Sequence, residues 1–201
     1  QRWLKEKYEQ QALYIRNGID AASFHPRRRD LSKKKIRVLI EGDSESYYKN
    51  VDESFRVVQK LDPEKYEIWY MSYNGQPKDW YRVDRFLQRI SYQKVWEVYA
   101  QCDILIKSSF LESFSYPPLE MMASGGFAIV VPNDGNIEYL VDRENCLMYE
   151  LGKIDDAVRL IDELIGDRML QDKLYHNGLQ CAQEREWRTI EPEILAAYAR
   201  K

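Results

Sequence analysis

The 201-residue sequence has few histidines, cysteines and glycines, and each shortage excludes a class of site. Its two histidines, His25 and His176, lie far apart, and no Asp-x-Asp motif is present, so the sequence shows no recognisable metal-binding motif. The loop after the first expected strand contains a single glycine and is therefore neither a dinucleotide-binding fingerprint nor a P-loop. The cysteines are odd in number and widely spaced, which indicates buried, reduced thiols of a cytosolic protein: Cys102, Cys146 and Cys181.

Long apolar runs and an excess of one charge are also missing. No apolar run reaches the roughly 18–20 residues of a membrane span. Thirty basic and 33 acidic side chains leave a net charge of -3, which does not suit a nucleic-acid partner. One basic stretch, residues 25–35, could be a nucleic-acid or membrane patch, but Pro26 and the lack of apolar periodicity favour a solvated linker.

Apolar strand-like runs alternate strictly with helix-like ones from Ile36 onward. Strands are predicted at 36–42, 66–72, 83–87, 103–109, 127–132 and 145–150. Helices are predicted at 1–9, 51–61, 91–102, 117–125, 136–142, 154–165, 167–185 and 190–199. This pattern is typical of an α/β protein, and we predict a Rossmann-like, doubly wound parallel sheet of six strands with helices on both faces.

Ligands of such folds bind beyond the carboxyl ends of the strands, which directs attention to the stretch "SSFLESFSYPPLEMMASGG", residues 108–126. Pro117 and Pro118 are suited to open a helix, which places Glu120 in its first turn and Glu112 in the loop ahead. Such a helix N-terminus is a common anion site. The alternative is that Glu120 merely complements the helix dipole.

Lys49 lies in the loop after the first strand, near the start of the next helix. A cation there would help the helix amides to hold a phosphate. Taken alone, the residue is better explained as an exposed lysine beside Glu45 and Asp52.

The Glu-x7-Glu spacing resembles that of the retaining GT-B glycosyltransferases of family four, the glycosyl transferases group 1. Their second domain carries S-x-x-E-G-F-G-L-P-x-x-E-A-M-A-x-G-x-P-V-V, which residues 108–131 follow. Further segments resemble the family in order: "YIRNGIDAASFHP" (14–26), "VWEVYAQCDILIKSS" (95–109), "NDGNIEYLVDRENCLMYE" (133–150) and "REWRTIEPEILAAY" (185–198). Together these segments extend over nearly the whole chain.

The resemblance implies one half of a GT-B fold, whose donor substrate is a nucleoside-diphosphate sugar and whose chemistry needs neither metal nor cofactor. Glu120 would accept hydrogen bonds from the ribose hydroxyls. Glu112 would lie against the donor hexose near the reacting carbon, and Lys49 would offset charge on the leaving diphosphate. The remaining contacts would come from Leu87 and Gln88 on the base, and from the backbone amides of Ser113, Phe114, Ser115 and Tyr116 on the diphosphate.

The resemblance also implies the organisation of a longer protein. Residues 1–30 would be a linker segment from an N-terminal acceptor-binding domain outside this chain, 31–187 the donor domain, and 188–201 a crossover helix. The partners would be that domain and a polysaccharide or lipid-linked acceptor at the inner membrane face of the cytoplasm. The enzyme would transfer sugar with retention of configuration, as in polysaccharide biosynthesis, and the fragment alone would be inactive.

Some positions depart from the family pattern. Asp43-Ser44 stands where an arginine is usual, so Lys49 would act alone or with Arg89 or Lys107. Ser113, Ser115 and Gln88 replace glycines. A second hypothesis is therefore a degenerate GT-B domain that binds a nucleotide or partner as a scaffold without catalysis. A third, a flavodoxin-like or receiver-like module, leaves the paired glutamates unexplained.

Overall fold

The computed structural model describes residues 2–10 and 12–199, with side chains from Leu4 onward. The predicted first helix is observed as α1, Arg2–Tyr8. Gln1 and Gln11 in the predicted linker segment, and Arg200 and Lys201 in the predicted crossover segment, lie outside the described residues.

A parallel sheet of six strands forms the centre of the molecule, in the order β3-β2-β1-β4-β5-β6. The chain builds outward from β1 in one direction and from β4 in the other, so the connections change direction between these two neighbours. A crevice is expected at this point, beyond the carboxyl ends of the strands. The strands are β1 (Ile36–Glu41), β2 (Tyr66–Ser72), β3 (Arg85–Gln88), β4 (Ile104–Lys107), β5 (Phe127–Val130) and β6 (Leu147–Met148).

Helices cover both faces of the sheet, as predicted. Alternate residues of β1 show why: Val38 and Ile40 pack into one buried cluster with α2 and α5, and Leu39 packs into the other with α3 and α4. Both faces are therefore apolar. The helices after α1 are α2 (Val51–Val58), α3 (Tyr92–Gln101), α4 (Tyr116–Ala123), α5 (Ile154–Gly166), α6 (Arg168–Glu184) and α7 (Trp187–Tyr198).

The helix predicted at 136–142 is wrong, because this segment forms turns. Asparagine side chains supply the competing hydrogen bonds. Asn136 Oδ1 accepts from the amide of Asn133 at 2.9 Å, and Asn145 Oδ1 accepts from the amide of Val141 at 2.8 Å. Side-chain bonds of this kind offer the backbone an alternative to the helical ladder.

The basic stretch at 25–35 is tied to the domain by its own side chains. Arg29 donates to the carbonyls of Tyr99 and Ser124, at 3.0 and 2.9 Å, at the carboxyl ends of α3 and α4. Lys33 Nζ lies 2.7 Å from Asp103 Oδ1. Cations at helix carboxyl ends offset the helix dipole. Much of this charge therefore stabilises the fold, which argues against a nucleic-acid patch.

The two histidines contact neighbouring side chains, and the three cysteines are free thiols that are buried to different degrees. The ring of His25 packs edge-on against Trp96, with centroids 5.3 Å apart, and His176 contacts Arg28. Cys102 and Cys146 are buried free thiols as predicted, whereas Cys181 is only partly buried. Burial raises the pKa of Cys102 and of Cys146, so both remain protonated.

Candidate functional site

The crevice between β1 and β4 is shaped by a glycine. Gly42 follows β1 with φ of 146°, a conformation that side chains disfavour. A Cβ there would lie 2.9 Å from Val51 Cγ2 and 3.9 Å from Lys107 Nζ. The sequence can therefore turn at this point only because the residue is glycine, and the turn leaves room for the side chains at the end of β4.

Four side chains of alternating charge meet in this crevice. Lys107 Nζ, at the end of β4, lies 2.6 Å from Glu41 Oε2 and 3.2 Å from Glu112 Oε1. Lys49 Nζ lies 2.9 and 2.8 Å from the two carboxylate oxygens of Glu112. We call Glu41, Lys107, Glu112 and Lys49 the charge chain. Its members come from β1, β4, the loop after β4, and the turn before α2.

Glu112 and Lys107 stay ionised despite burial. Burial alone would raise the pKa of Glu112, but Lys107 and Lys49 outweigh it and hold that pKa below its usual value. Burial would likewise lower the pKa of Lys107, and Glu41 and Glu112 raise it instead. At neutral pH the crevice therefore holds a carboxylate between two ammonium groups.

A loop after β5 supports the backbone of Glu112. Asn133 Nδ2 donates to the carbonyl of Ser109 at 2.8 Å, and the amide of Gly135 donates to Asn133 Oδ1 at 3.0 Å. A Cβ on Gly135 would lie 2.3 Å from the carbonyl oxygen of Glu112. Sequence reasoning gave these residues no role, although the "NDGN" segment was among those resembling the family.

A cavity of about 450 Å³ opens beside the charge chain. Glu41 belongs to both, since it pairs with Lys107 and also lines the cavity. The other lining residues are mostly aromatic or apolar: Gly18, Met71, Tyr92, Val95, Tyr99, Tyr116, Pro117, Glu120 and Trp187. Aromatic walls with one or two carboxylates are suited to a flat ring attached to a polyol.

One wall of the cavity is formed where an early segment of the chain, around Gly18, packs against a late one, around Trp187. The amide of Ile19 donates to the carbonyl of Arg185 at 2.8 Å, and the amide of Trp187 donates to the carbonyl of Ile19 at 3.1 Å. A Cβ on Gly18 would lie 2.6 Å from Ile190 Cδ1. The "NGID" turn and the start of α7 therefore pack directly against each other.

Glu120 differs from Glu112 in the direction of its pKa shift. It is 7% exposed, and burial raises its pKa to about 7, while a hydrogen bond from Tyr99 acts in the opposite direction. Glu41 raises the pKa further and Lys107 lowers it. Near neutral pH this carboxyl can therefore donate or accept a hydrogen bond.

Comparison with known families and structures agrees with the fold and with the resemblance. Residues 84–180 match the model of the family described as glycosyl transferases group 1. The chain carries a glycosyl transferases group 1 domain. Comparison with curated proteins gives no match.

Solved structures show the same fold at low identity. The C-terminal domain of the group 1 protein LpcC from Francisella tularensis is 21% identical, with a TM-score of 0.64 over 84% of this chain and 98% of that one. A Rickettsia africae glycosyltransferase is 15% identical, with a TM-score of 0.81 over 98% and 60%. Anabaena HepE, in complex with UDP-glucose, is 18% identical, with a TM-score of 0.77 over 92% and 56%. This chain thus spans little more than half of the latter two structures and has the fold of a GT-B C-terminal half.

The structure places several predicted site residues of the glycosyl transferase domain in or beside the crevice. Glu112 and Lys49 are in direct contact, and Lys107, named as a possible partner cation, joins them. Glu120 lies in the adjacent cavity, although it is the fifth residue of α4 and not in its first turn as expected. Arg89 lies instead over the ring of Tyr73, 6.0 Å from its centroid.

The expected diphosphate cradle needs a correction. The amide of Ser115 donates to the carbonyl of Gly135 at 3.1 Å and is not available to a ligand in this conformation. The side chain of Phe114 is buried against Tyr116 and Tyr139, with ring centroids 4.8 and 5.1 Å away, so only its backbone could contact a ligand. Ser113 is exposed.

The residues expected at the base lie on β3, two strands away from β1. Leu87 packs partly buried against the core, and Gln88 Nε2 donates to the carbonyl of Asn74 at 3.4 Å. Neither lines the described cavity. Asp52, expected beside Lys49, forms its ion pair with Lys78 instead, at 2.7 Å.

Within residues 2–10 and 12–199, no cluster of three or more His, Cys, Asp or Glu side chains has the arrangement of a metal site. The same ranges contain no helix with the length and apolarity of a membrane span.

Proposed function

We propose that this chain is the donor-binding half of a glycosyltransferase that moves a sugar from a nucleoside-diphosphate sugar to a glycan or lipid-linked acceptor, with retention of configuration. The observation that supports it is the aromatic cavity lying directly beside a chain of alternating charges, within a glycosyl transferases group 1 domain. Residues 31–187 would be the donor domain, with 1–30 and 188–201 leading to an acceptor domain elsewhere in the protein. The enzyme would meet this acceptor in the cytoplasm, at the inner face of the membrane.

The nucleoside would occupy the cavity. Tyr92, Tyr116 and Trp187 are partly exposed there and offer ring faces to a base. Glu120 would accept hydrogen bonds from the two ribose hydroxyls, since its two oxygens suit a vicinal diol. Because HepE is solved in complex with UDP-glucose, uridine nucleotides are the first ligands to test.

The diphosphate would lie between the cavity and Glu112. Lys49, whose side chain is 25% exposed, is the cation most open to a phosphate. The backbone amides of Ser113, Phe114 and Tyr116 remain as candidate donors beside it. A phosphate would compete with the Glu112 carboxylate for the ammonium group of Lys49.

The hexose would lie against Glu112. As the bond to the diphosphate breaks, positive charge develops at the anomeric carbon and negative charge on the leaving phosphate. An ionised Glu112 would stabilise the first and Lys49 the second. The residues on this chain would otherwise act by holding the donor in position.

Calorimetric titration of UDP, UDP-glucose, GDP and dTDP into this chain tests the proposal. We expect one nucleoside diphosphate to bind, and Glu120→Ala to weaken it by about 1–3 kcal/mol, because the ribose loses its acceptor. Glu64→Ala, on the surface just before the amino end of β2, is the matched control. Failure of every nucleotide to bind, or an unchanged affinity in Glu120→Ala, would contradict the proposal.

A scaffold role is the second candidate, because part of the expected phosphate site is already engaged. Ser115 donates to Gly135, and Ser44 Oγ, at the position of the usual arginine, donates to the carbonyl of Gln76 at 2.7 Å. Incubating the full-length protein with a labelled nucleotide sugar separates the two. Binding with no sugar transferred to acceptor or water would favour the scaffold.

A further inference from the structure

The two lysines that contact Glu112 differ in burial and origin. The side chain of Lys107 is 1% exposed and projects from β4, where the residue pairs with Val130 inside the sheet. Lys49 lies in the short turn Tyr47–Lys49 before α2, with its side chain 25% exposed. One cation is therefore held by the core, and the other by a surface turn.

The ammonium group of Lys107 has no donor to spare. Its three protons face three acceptors: Glu41 Oε2 at 2.6 Å, Glu112 Oε1 at 3.2 Å and the carbonyl of Glu41 at 3.4 Å. To bind a phosphate it would have to release a buried carboxylate, which is costly. When Lys49 leaves Glu112, by contrast, the carboxylate keeps Lys107 and stays paired.

We propose that Lys107 is the positioning residue of this site, which fixes the Glu112 carboxylate from inside while Lys49 exchanges Glu112 for the diphosphate of the donor. The role of Glu112 in this assignment rests on the proposed function. The contacts of Lys107 do not.

Glu41 completes the arrangement. It pairs with Lys107, and it lines the cavity that holds Glu120. Lys107 therefore links the position of Glu112 to the wall of the nucleoside cavity. A strand residue packed in a sheet is well suited to this, because its geometry is set before any ligand arrives.

Carbon-13 NMR titration of the Glu112 carboxyl tests the assignment without a ligand. We expect Lys107→Met to raise the titration midpoint of Glu112 by at least about one pH unit, and Lys49→Met to raise it by less. Lys107→Arg should keep the midpoint near its original value. Lys60→Met, which removes an exposed lysine paired with Asp155 elsewhere on the surface, should have no effect.

Lys107→Met leaves Glu41 without its cation and could prevent folding. The double variant Lys107→Met with Glu41→Gln removes both members of that pair and retains the test, since the Glu112 midpoint should still rise. A midpoint that moves as far in Lys49→Met as in the Lys107 variants would overturn the assignment.

Ligand affinities separate the two roles. We expect Lys49→Met to reduce the ratio of UDP to uridine affinity about tenfold, the size of a lost charge-assisted bond. The Lys107 variants should leave that ratio within about threefold and instead reduce the ratio of UDP-glucose to UDP affinity about tenfold, with partial rescue in Lys107→Arg. If Lys107→Met reduces the UDP to uridine ratio as Lys49→Met does, Lys107 is a phosphate ligand and the assignment is wrong. If the unmodified chain binds no nucleotide, the proposed function fails, and the NMR titration alone decides the role of Lys107.

Discussion

Glu112 and Glu120 lie eight residues apart on one loop and helix, both with nearly buried side chains, yet their surroundings shift their pKa values in opposite directions. Glu112 lies between two lysines, which lower its pKa. Glu120 faces an aromatic cavity, where burial raises its pKa to about 7 although a hydrogen bond from Tyr99 acts in the opposite direction. The difference teaches that neighbouring charges and burial, and not the residue type, decide what each carboxyl can do.

The largest effect should come from breaking the charge chain at its buried cation. Lys107→Met should lower the free energy of unfolding by about 3–5 kcal/mol, since Glu41 and Glu112 lose a buried partner. Urea denaturation at pH 7 measures it, with Lys60→Met as the control. A loss below about 1 kcal/mol would mean that water solvates these carboxylates when Lys107 is absent. Glu112 would then not depend on a buried cation, and its difference from Glu120 would not be explained by Lys107.

Whereas Lys107→Met should destabilise the protein, removing the ionisable carboxyl of Glu120 should stabilise it at high pH. Its folded pKa of about 7 lies above the usual 4.5, so the folded state holds a proton that the unfolded state releases between these values. Stability from this group therefore falls as pH rises from about 4.5 to 7. Glu120→Gln, which cannot ionise, should gain about 1–3 kcal/mol over the unmodified chain at pH 8 and nothing at pH 4.5.

Urea denaturation at the two pH values checks this, with Glu64→Gln as the exposed control. An equal difference at both pH values would mean that Glu120 titrates normally. Because the same substitution should weaken nucleotide binding, a gain in stability with a loss of affinity would mark Glu120 as a residue retained for function.

Much of this contrast could not be predicted from the sequence, although most of the fold could. Periodicity was enough for the strands and most helices, and the resemblance selected Glu112, Glu120 and Lys49. The contact of Glu41 with Lys107 depends on β1 and β4 being neighbours, which local patterns do not specify. The bond from Ser115 to Gly135 likewise joins two loops that only the folded sheet brings together.

The pH dependence of binding should sharpen the contrast between the two carboxyls. If ribose hydroxyls donate to ionised Glu120, protonation of this group competes with the ligand. The affinity for UDP-glucose, whose diphosphate has no group that titrates in this range, should therefore fall about tenfold from pH 7.5 to 6. Glu112 stays ionised in this range and should contribute no slope. Calorimetry in buffers of different ionisation enthalpy would also detect proton release on binding. In Glu120→Gln the affinity should not depend on pH, and a remaining slope would point to another titrating group.

The smallest effect on stability should come from Lys49. The residue lies at the exposed end of the charge chain, and partly exposed ion pairs contribute little, so Lys49→Met should cost about 0–1 kcal/mol in urea denaturation. Glu112 would keep its contact with Lys107 and remain ionised. A loss as large as that of Lys107→Met would mean that both lysines are structural, and that neither is free to exchange its partner for a phosphate. A small loss of stability combined with weaker UDP binding would instead support separate roles, with Lys107 holding Glu112 and Lys49 binding the diphosphate.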